Sequence, residues 1–574
     1  VNRAEGRVAA RSGALQFKNV KVSPQNGGGE PSIAMGKGRY RYISYPGSGG
    51  MHFYYSSTRG KTWKAGGFAD TGSGDTSVNI DSSGAVYQSN LDGQLEGDVY
   101  KSLNHGKTWT GPGLAGGAAG DGSSTNNPAH VDREWTDAYI APGKTTKQAD
   151  VYIGYHDFGP SAVWVNASHD GGKTFTDPVN IIVEPDAIAS SACNTIPGSL
   201  RVAQGGQHPG RVFMSWIASD AGSSSASGCN YTQEDTFYQA WVAWSDDGGA
   251  TWNDQLVYDG GITHDMGELF PDMTLDRKGN PYMSVADNLK FDATTQNSGE
   301  WDVYLFASFD GGKTWNKAHG GKPYKVSKSK GTHYYPAVAA GDPGMVDVAW
   351  IETDKKPNVS PYGKPEEPAG MAAAKWNVFM GQTRNLKSGH PTWKVQKVTK
   401  TPIHQGDVCV LGIFCTGFGP AGANRDILDF IDIAVNKKGN ANIAYTADLQ
   451  DTSACICVAL QTSGSTVNRT KKVTLLGPRA ALGFNTNTPR KGHTIRGKAN
   501  LRRCNSNTKH TKIQLQKKVN GAFKTIATHR LDATCSTIFK VKATFKKRTF
   551  RSFWKAQAPG YHSGHSRDNL VVTH

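Results

Sequence analysis

Between residues 31 and 445 the chain repeats one hydrophobic figure: a short apolar run, a glycine-bearing turn, then a second run in which apolar and polar residues alternate. The pairs are Pro31–Met35 with Tyr40–Tyr45, Ser77–Ile80 with Ala85–Tyr87, Trp135–Tyr139 with Val151–Tyr155, and Leu200–Val202 with Val212–Trp216. Pro271–Leu275 with Pro281–Met283, Pro336–Ala339 with Val346–Trp350, and Ile431–Val435 with Ala441–Tyr445 complete the series. Period-two alternation marks a half-buried strand, and a short unbroken apolar run suits a strand enclosed on both faces. Seven pairs predict an all-β fold, a seven-bladed β-propeller of four-stranded sheets over about 15–468, with the first strand of each blade facing the axis. A six-bladed ring is the alternative, with the cysteine-flanked fourth pair as an insertion.

An eight-residue repeat punctuates the same stretch: SSTRGKTW at Ser56–Trp63, SLNHGKTW at Ser102–Trp109, SHDGGKTF at Ser168–Phe175, SDDGGATW at Ser245–Trp252 and SFDGGKTW at Ser308–Trp315. Each predicts a hairpin turn in which the Asp accepts backbone N–H bonds, glycine supplies positive φ, and the Trp or Phe is buried between neighbouring units. Thr58 and Asn104 occupy the Asp slot in the first two copies. The matching places after pairs six and seven, 382–393 and 461–466, are degenerate.

The repeat resembles the Asp-box, or bacterial neuraminidase repeat, of the sialidase-like β-propellers. That resemblance implies the propeller fold and places the boxes on the outer rim, as staples of the fold and not as active-site residues. Sialidases hold a carboxylate with three arginines, use a Glu-activated Tyr as nucleophile and an Asp as acid/base, and carry the first arginine in a Phe-Arg-Ile-Pro motif. Here the matching segment is Gly27-Gly28-Gly29-Glu30-Pro31, which puts Gly29 in the arginine's place. Enzymatic sialidases also have six blades. Both departures count against cleavage of sialic acid and set the chain beside secreted proteins that carry the repeat without the full catalytic set.

Charge divides the chain further. Its net charge is +16, yet residues 471–574 hold 23 Lys and Arg against two acids, Asp532 and Asp568, leaving the preceding part at −5. A basic domain at 472–574 is therefore expected to have its own partner. Its short strands, the Asn520-Gly521 turn and a Cys504–Cys535 pair predict a small sandwich that resembles the immunoglobulin-like modules of secreted bacterial surface enzymes. Residues 1–14 read as a mobile arm. Eight cysteines favour an oxidising, secreted location, with Cys193–Cys229 and Cys409–Cys415 as further pairs and Cys455 and Cys457 left over. The absence of a basic-then-apolar leader reads as a mature form, and no apolar run reaches membrane-spanning length.

Chemistry is expected at the mouth of the central channel, on residues leading into the inner strands. Aligning the seven strands places Glu30, Asp75, Glu134, Pro197, Phe270, Tyr335 and Phe430 just before them, with Arg133, Tyr334 and Asp429 one step earlier and Asp132, Glu268 and His333 two steps earlier. His130, His264, Asp265, Arg425 and Asp426 lie beside them. Glu134, Glu268, Asp429, Tyr334, Tyr335 and His333 are the catalytic candidates; Arg133, Arg425, Asp132, Glu30, Asp75 and His264 the substrate-binding ones. A glycoside hydrolase using two rim carboxyls is the leading expectation. A lyase with Tyr334 or Tyr335 and His333 as its proton-transfer groups and a non-catalytic glycan- or protein-binding adhesion propeller are the alternatives. No cofactor is implied, although the acidic rim is a candidate for Ca2+ without any EF-hand spacing. The expected partners are an extracellular glycan at the rim and an anionic envelope polymer at 472–574, with nucleic acid excluded as a natural partner.

Overall fold

The protein is described here by a computed structural model covering residues 13–24, 28–47, 49–67, 73–92, 96–115, 131–157, 162–192, 195–218, 237–261, 263–267, 270–288, 301–355, 374–406, 408, 410, 425–448, 454–468, 480–501, 510–554, 564–566 and 569–573. It divides into two compact units, Val1–Arg469 and Thr470–His574.

In the first unit the apolar runs form the innermost strands of seven antiparallel sheets among the described residues: Ser32–Ala34, Ser73–Ile80, Val131–Tyr139, Thr195–Val202, Asp272–Leu275, Thr332–Ala340 and Asp432–Val435. Each is followed outward by its hairpin partners, and each packs on the innermost strand of the next blade until the seventh meets the first. Blade seven is completed by a strand from the opposite end of the unit, Gln16–Lys21, which pairs antiparallel with Cys455–Ser463. The cysteine-flanked fourth pair is a full blade, not an insertion.

Side-chain oxygens tie the innermost strands together. Ser32 Oγ accepts Val78 N–H at 3.2 Å, Ser77 Oγ accepts Thr136 N–H at 3.3 Å, Asp137 accepts Val202 N–H at 2.8 Å, and Ser199 Oγ accepts Met273 N–H at 2.9 Å. Asp272 accepts Val338 N–H at 2.7 Å and Asp432 accepts Ile33 N–H at 2.7 Å, across the join between last and first blades. These groups take the place of ladder bonds that diverging sheets cannot make to one another, so buried N–H groups at the axis stay satisfied.

The five octapeptides all lie between third and fourth strands and share one bonding plan. The leading serine accepts the N–H of the fifth residue at 2.8–2.9 Å in every copy: Gly60, Gly106, Gly172, Gly249 and Gly312. Asp170, Asp247 and Asp310 accept the threonine N–H four residues on, and Thr58 Oγ1 and Asn104 Oδ1 do the same work in the two altered copies. Blade six keeps the plan in stretched form, with Asn385 Oδ1 accepting Thr392 N–H at 3.0 Å around an inserted Leu386–Ser388 turn and Trp393 buried after it.

The second unit is a β-sandwich. A sheet of Ala480–Phe484, Thr494–Leu501 and Ser536–Lys542 faces one of Lys512–Val519, Ala522–Arg530 and Lys547–Trp554, extended by Gly564–His565 and Asn569–Val572. Leu515, Phe539, Phe550 and Trp554 fill the interior. Cys535 is buried there, while Cys193, Cys229, Cys409, Cys415 and Cys504 fall outside the described residues, so each expected pairing has at least one member there. The sulfurs of Cys455 and Cys457 stand 3.9 Å apart, in hydrogen-bonding contact with each other. No described helix is long and apolar enough to cross a membrane.

Candidate functional site

The side-chain ties fix which rim residues are equivalent. Counting three residues back from Ile33, Val78, Thr136, Met273 and Val338 gives Glu30, Asp75, Arg133, Phe270 and Tyr335, and strand pairing adds Pro197 and Phe430. Blade three therefore departs from the sequence alignment by one place: Arg133, not Glu134, holds the ring position, because Trp135 sits where blades one and two carry the tying serine. Pairing between first and second strands slips here in four blades, between Ser73 and Thr76, Asp132 and Trp135, Pro197 and Leu200, and Tyr334 and Ala337. Such bulges bend a strand and re-aim its side chains. Glu30, Arg133 and Tyr335 carry positive φ of 49°, 41° and 57°, a cost of order 1–3 kcal/mol each that the surrounding ring sustains.

Arg133 closes the channel. Its guanidinium lies 4.2 Å from the Phe430 ring centroid of blade seven and 4.7 Å from that of Trp135, and donates to Thr76 O at 3.2 Å. Phe270 meets both aromatic rings edge-on, at 5.5 Å and 6.2 Å. Below this plug a cavity of about 640 Å³ follows the axis, lined by Arg201, Asp272 and Asp432 among others. Above it lies the cup that holds the acidic residues.

Four carboxyls gather there, Glu30, Asp75, Asp132 and Asp429, with Glu134 enclosed behind them. Glu30 shares hydrogen bonds with Asp75 and with Asp429, and burial together with the Asp75 and Asp429 charges holds it well above the usual carboxylate range. Asp429 is raised too, by burial against the opposing pull of Arg425, whose Nη2 donates to it at 2.8 Å and stands 3.8 Å from Glu30. Asp132 is pushed up to about 7, first by burial and next by Asp75. Glu134 reaches about 8 because it is fully enclosed, with Arg133 only partly compensating. The arrangement stores protons at neutral pH on some carboxyls while Arg425 steadies the negative charge on others. Asp75, Asp132 and Arg425 are partly exposed and form the accessible lip; Glu30 and Asp429 lie beneath them.

Other candidates fall elsewhere. Glu134 is behind the cup with no access to solvent, next to Ser89. His333 is fully buried inside blades five and six, its Nδ1 against Trp301 O at 2.5 Å and its Nε2 near Ser329 Oγ at 3.1 Å and Glu352 at 3.5 Å. Tyr334 is buried as well, stacked on Trp376 at 5.4 Å. Tyr335 is buried near enough to Arg425 to influence it. His264 pairs with Asp287 of blade five at 2.9 Å, which raises the imidazole. Glu268 and His130 lie outside the described residues. Among the described residues no group of three or more His, Cys, Asp or Glu side chains is placed to hold a metal ion.

The alignment also missed a layer behind the rim. Gln88, Ser89 and Asn90 are buried beside Glu134, and His156, opposite Asp132, is buried with its pKa driven down to about 3 by desolvation. The signal was present: three consecutive polar residues interrupt Val86–Asp92, a strand that otherwise reads as core.

No protein-family model matches the chain, and none of the curated proteins is similar to it in sequence. Solved structures do resemble it. A polysaccharide lyase of family PL25, an ulvan lyase bound to a glucuronate–sulfated rhamnose unit, matches over 79% of this chain and 98% of its own at 13% identity and a TM-score of 0.44. The leech intramolecular trans-sialidase matches over 80% and 71% at 11% identity and 0.34, and the fucose-specific lectin of Aleuria aurantia over 65% and 97% at 11% and 0.33. The sheets themselves make the chain a β-propeller with a C-terminal sandwich.

Proposed function

We propose that the cup is the active site of a carbohydrate-active enzyme that cleaves a glycosidic bond in an extracellular glycan by paired carboxyl chemistry. Asp132 is the general acid and Asp75 the base or nucleophile. The observation that carries this reading is the pairing of two partly buried, electrostatically coupled carboxyls on adjacent bulged strands, one of them pushed up to about 7. A catalytic acid works best when its pKa lies near the operating pH, since it is then both protonated and willing to release the proton. Glu30 and Asp429 form the proton-holding floor, and Arg425 fixes the Asp429 charge and faces the sugar. A carboxyl separation of about 5 Å on the bound substrate would give retention and about 6.5–9.5 Å inversion. The lyase alternative, with Tyr334 or Tyr335 and His333 as its proton-transfer groups, is disfavoured because all three side chains are buried.

The test is a screen of the full chain on nitrophenyl glycosides and on neutral and acidic polysaccharides. Turnover should fall at least about a hundredfold in Asp132→Asn and in Asp75→Asn, as expected for loss of acid–base catalysis. The alkaline limb of the rate profile should lie near pH 7, where Asp132 loses its proton. Full activity in both variants would refute the assignment. Absence of turnover with retained glycan binding would make the cup a recognition site.

A further inference from the structure

The sandwich holds a charged surface that its own structure leaves uncompensated. In Thr494–Leu501, Ile495, Gly497, Ala499 and Leu501 are buried and Arg496 and Lys498 exposed; in Ser536–Lys542, Phe539 is buried and Ile538, Lys540 and Lys542 are exposed. The register sets Arg496 directly opposite Lys540, Thr494 opposite Lys542 and Lys498 opposite Ile538. Like charges facing each other across an antiparallel pair sit about 5 Å apart at Cβ and destabilise the sheet. None of the four cations forms an ion pair among the described residues. Asp532, near enough for Lys498 to lower its pKa, spends its Oδ1 on the N–H groups of Thr534 and Ser536.

The opposite sheet engages part of its charge, although Lys512 faces Arg530 and Lys517 faces Lys524 across its own strand pair. Arg551 donates to Gln516 at 2.9 Å and covers the Phe523 ring at 3.9 Å, Lys518 lies over the same ring, and Arg530 donates to His510 O at 3.1 Å. Those charges are engaged within the fold. The three-stranded face instead presents its four cations in two rows beside exposed Ile538 and beside Gly483, which pairs with Lys498 and has open space above its Cα.

We propose that this three-stranded face docks a linear acidic polysaccharide, one bearing carboxylate or sulfate on successive sugars. Two rows of cations, with neighbours along a strand about 7 Å apart, meet an extended polymer carrying regularly spaced anions and relieve the Arg496–Lys540 repulsion. Ile538 and Gly483 make a flat apolar shelf for sugar faces. Among the described residues no aromatic ring is exposed on this face, since Phe539 is buried and Phe484 packs against the interior, so they offer no stacking platform for a single-stranded nucleic acid.

The experiment uses the full chain with polygalacturonate as the probe, its methyl ester as neutral comparator and an oligothymidylate as the nucleic acid. The variant R496Q/K498Q/K540Q/K542Q is set against K512Q/K518Q/K524Q/R530Q, which removes the same charge from the other sheet. Polygalacturonate should bind the parent at low ionic strength, with log K falling linearly in log salt. The face variant should lose at least about tenfold in affinity and about 3 from the salt slope, near 0.7 per cation, while the control loses about threefold or less and both variants keep the parent's melting transition. Turnover of small glycosides at the propeller should be unchanged in both, which separates this face from the cup. Equal losses in the two variants, no binding by the parent, equal binding of the methyl ester, or tighter binding of the oligothymidylate would each overturn the proposal.

Discussion

Replacing Asp347 with asparagine isolates the price of one buried carboxyl. Asp347 lies at the start of the second strand of blade six, has no exposed surface, and among the described residues is held by a single side-chain bond, Gln382 Nε2 to its Oδ1 at 2.8 Å, with Oδ2 lacking a partner there. Desolvation pushes it up to about 8. A raised folded pKa means that the native state binds more protons than the unfolded chain between about pH 4 and 8, so its contribution is intact below pH 4 and lost as pH rises through 8. At pH 7 some three units of that window have been crossed, a loss of about 4 kcal/mol at about 1.4 kcal/mol per unit. For a propeller of roughly 450 residues the unfolding entropy is about 1 kcal/mol/K, so the shift is about 4 °C. Asparagine cannot ionise. Its buried N–H2 should lower the melting point at pH 4, by about 1–3 °C for one poorly placed polar group, and the gap should close or reverse by pH 7.5. Scanning calorimetry of both proteins at half-unit intervals reads this directly. Parallel melting curves across pH 4–8 would show that Asp347 is ionised or solvated in the folded protein and refute the reasoning.

Asp432→Ala removes the acceptor of Ile33 N–H and Ile433 N–H at the ring closure, and calorimetry should show a loss of about 2–4 kcal/mol. Ser308→Ala strips the Gly312 N–H of its acceptor and should cost about 1 kcal/mol in denaturant unfolding, whereas Lys313→Ala should stay within about 0.5 kcal/mol. Gly106→Ala combines a φ of +76° with a Cβ 2.0 Å from Phe53 and should lower stability by at least about 2 kcal/mol; an unchanged melting point would contradict the close packing between the first two blades. The bond from His264 to Asp287 raises the imidazole, so its stabilisation should be complete below about pH 6.5 and fade as pH rises through the higher folded value, and His264→Gln should abolish that slope in the melting curve.

Most of the propeller was legible because its information is local and repeated. Apolar runs, alternating partners and octapeptides recur at a spacing set by one blade, so an error in one copy is corrected by the others. Even the degenerate place in blade six keeps Asn385 and Thr392 in their bonding roles and Trp393 buried. The site was less legible because it is built from exceptions to that repetition. Trp135 replaces a serine and shifts the register of blade three, so Arg133 becomes the channel plug and Glu134 withdraws behind it. Whether a rim residue faces the cup or the space between blades depends on bulges, which put His333 and Tyr334 inside and Asp132 on the lip. No periodicity in the chain records those bulges.

The strand that completes blade seven brings together residues 446 apart, Thr462 Oγ1 donating to Gln16 O. A ribosome adding about 5–20 residues per second emits Gln16–Lys21 some 20–90 s before its partner exists. For that interval the first six blades can stack in order, but the ring remains an open arc whose first and last edges both expose unpaired N–H and C=O groups. An edge of that kind accepts any extended segment offered to it. The assembly step most sensitive to crowding is therefore the last one, when Gln16–Lys21 competes with strands of neighbouring nascent chains for Cys455–Ser463.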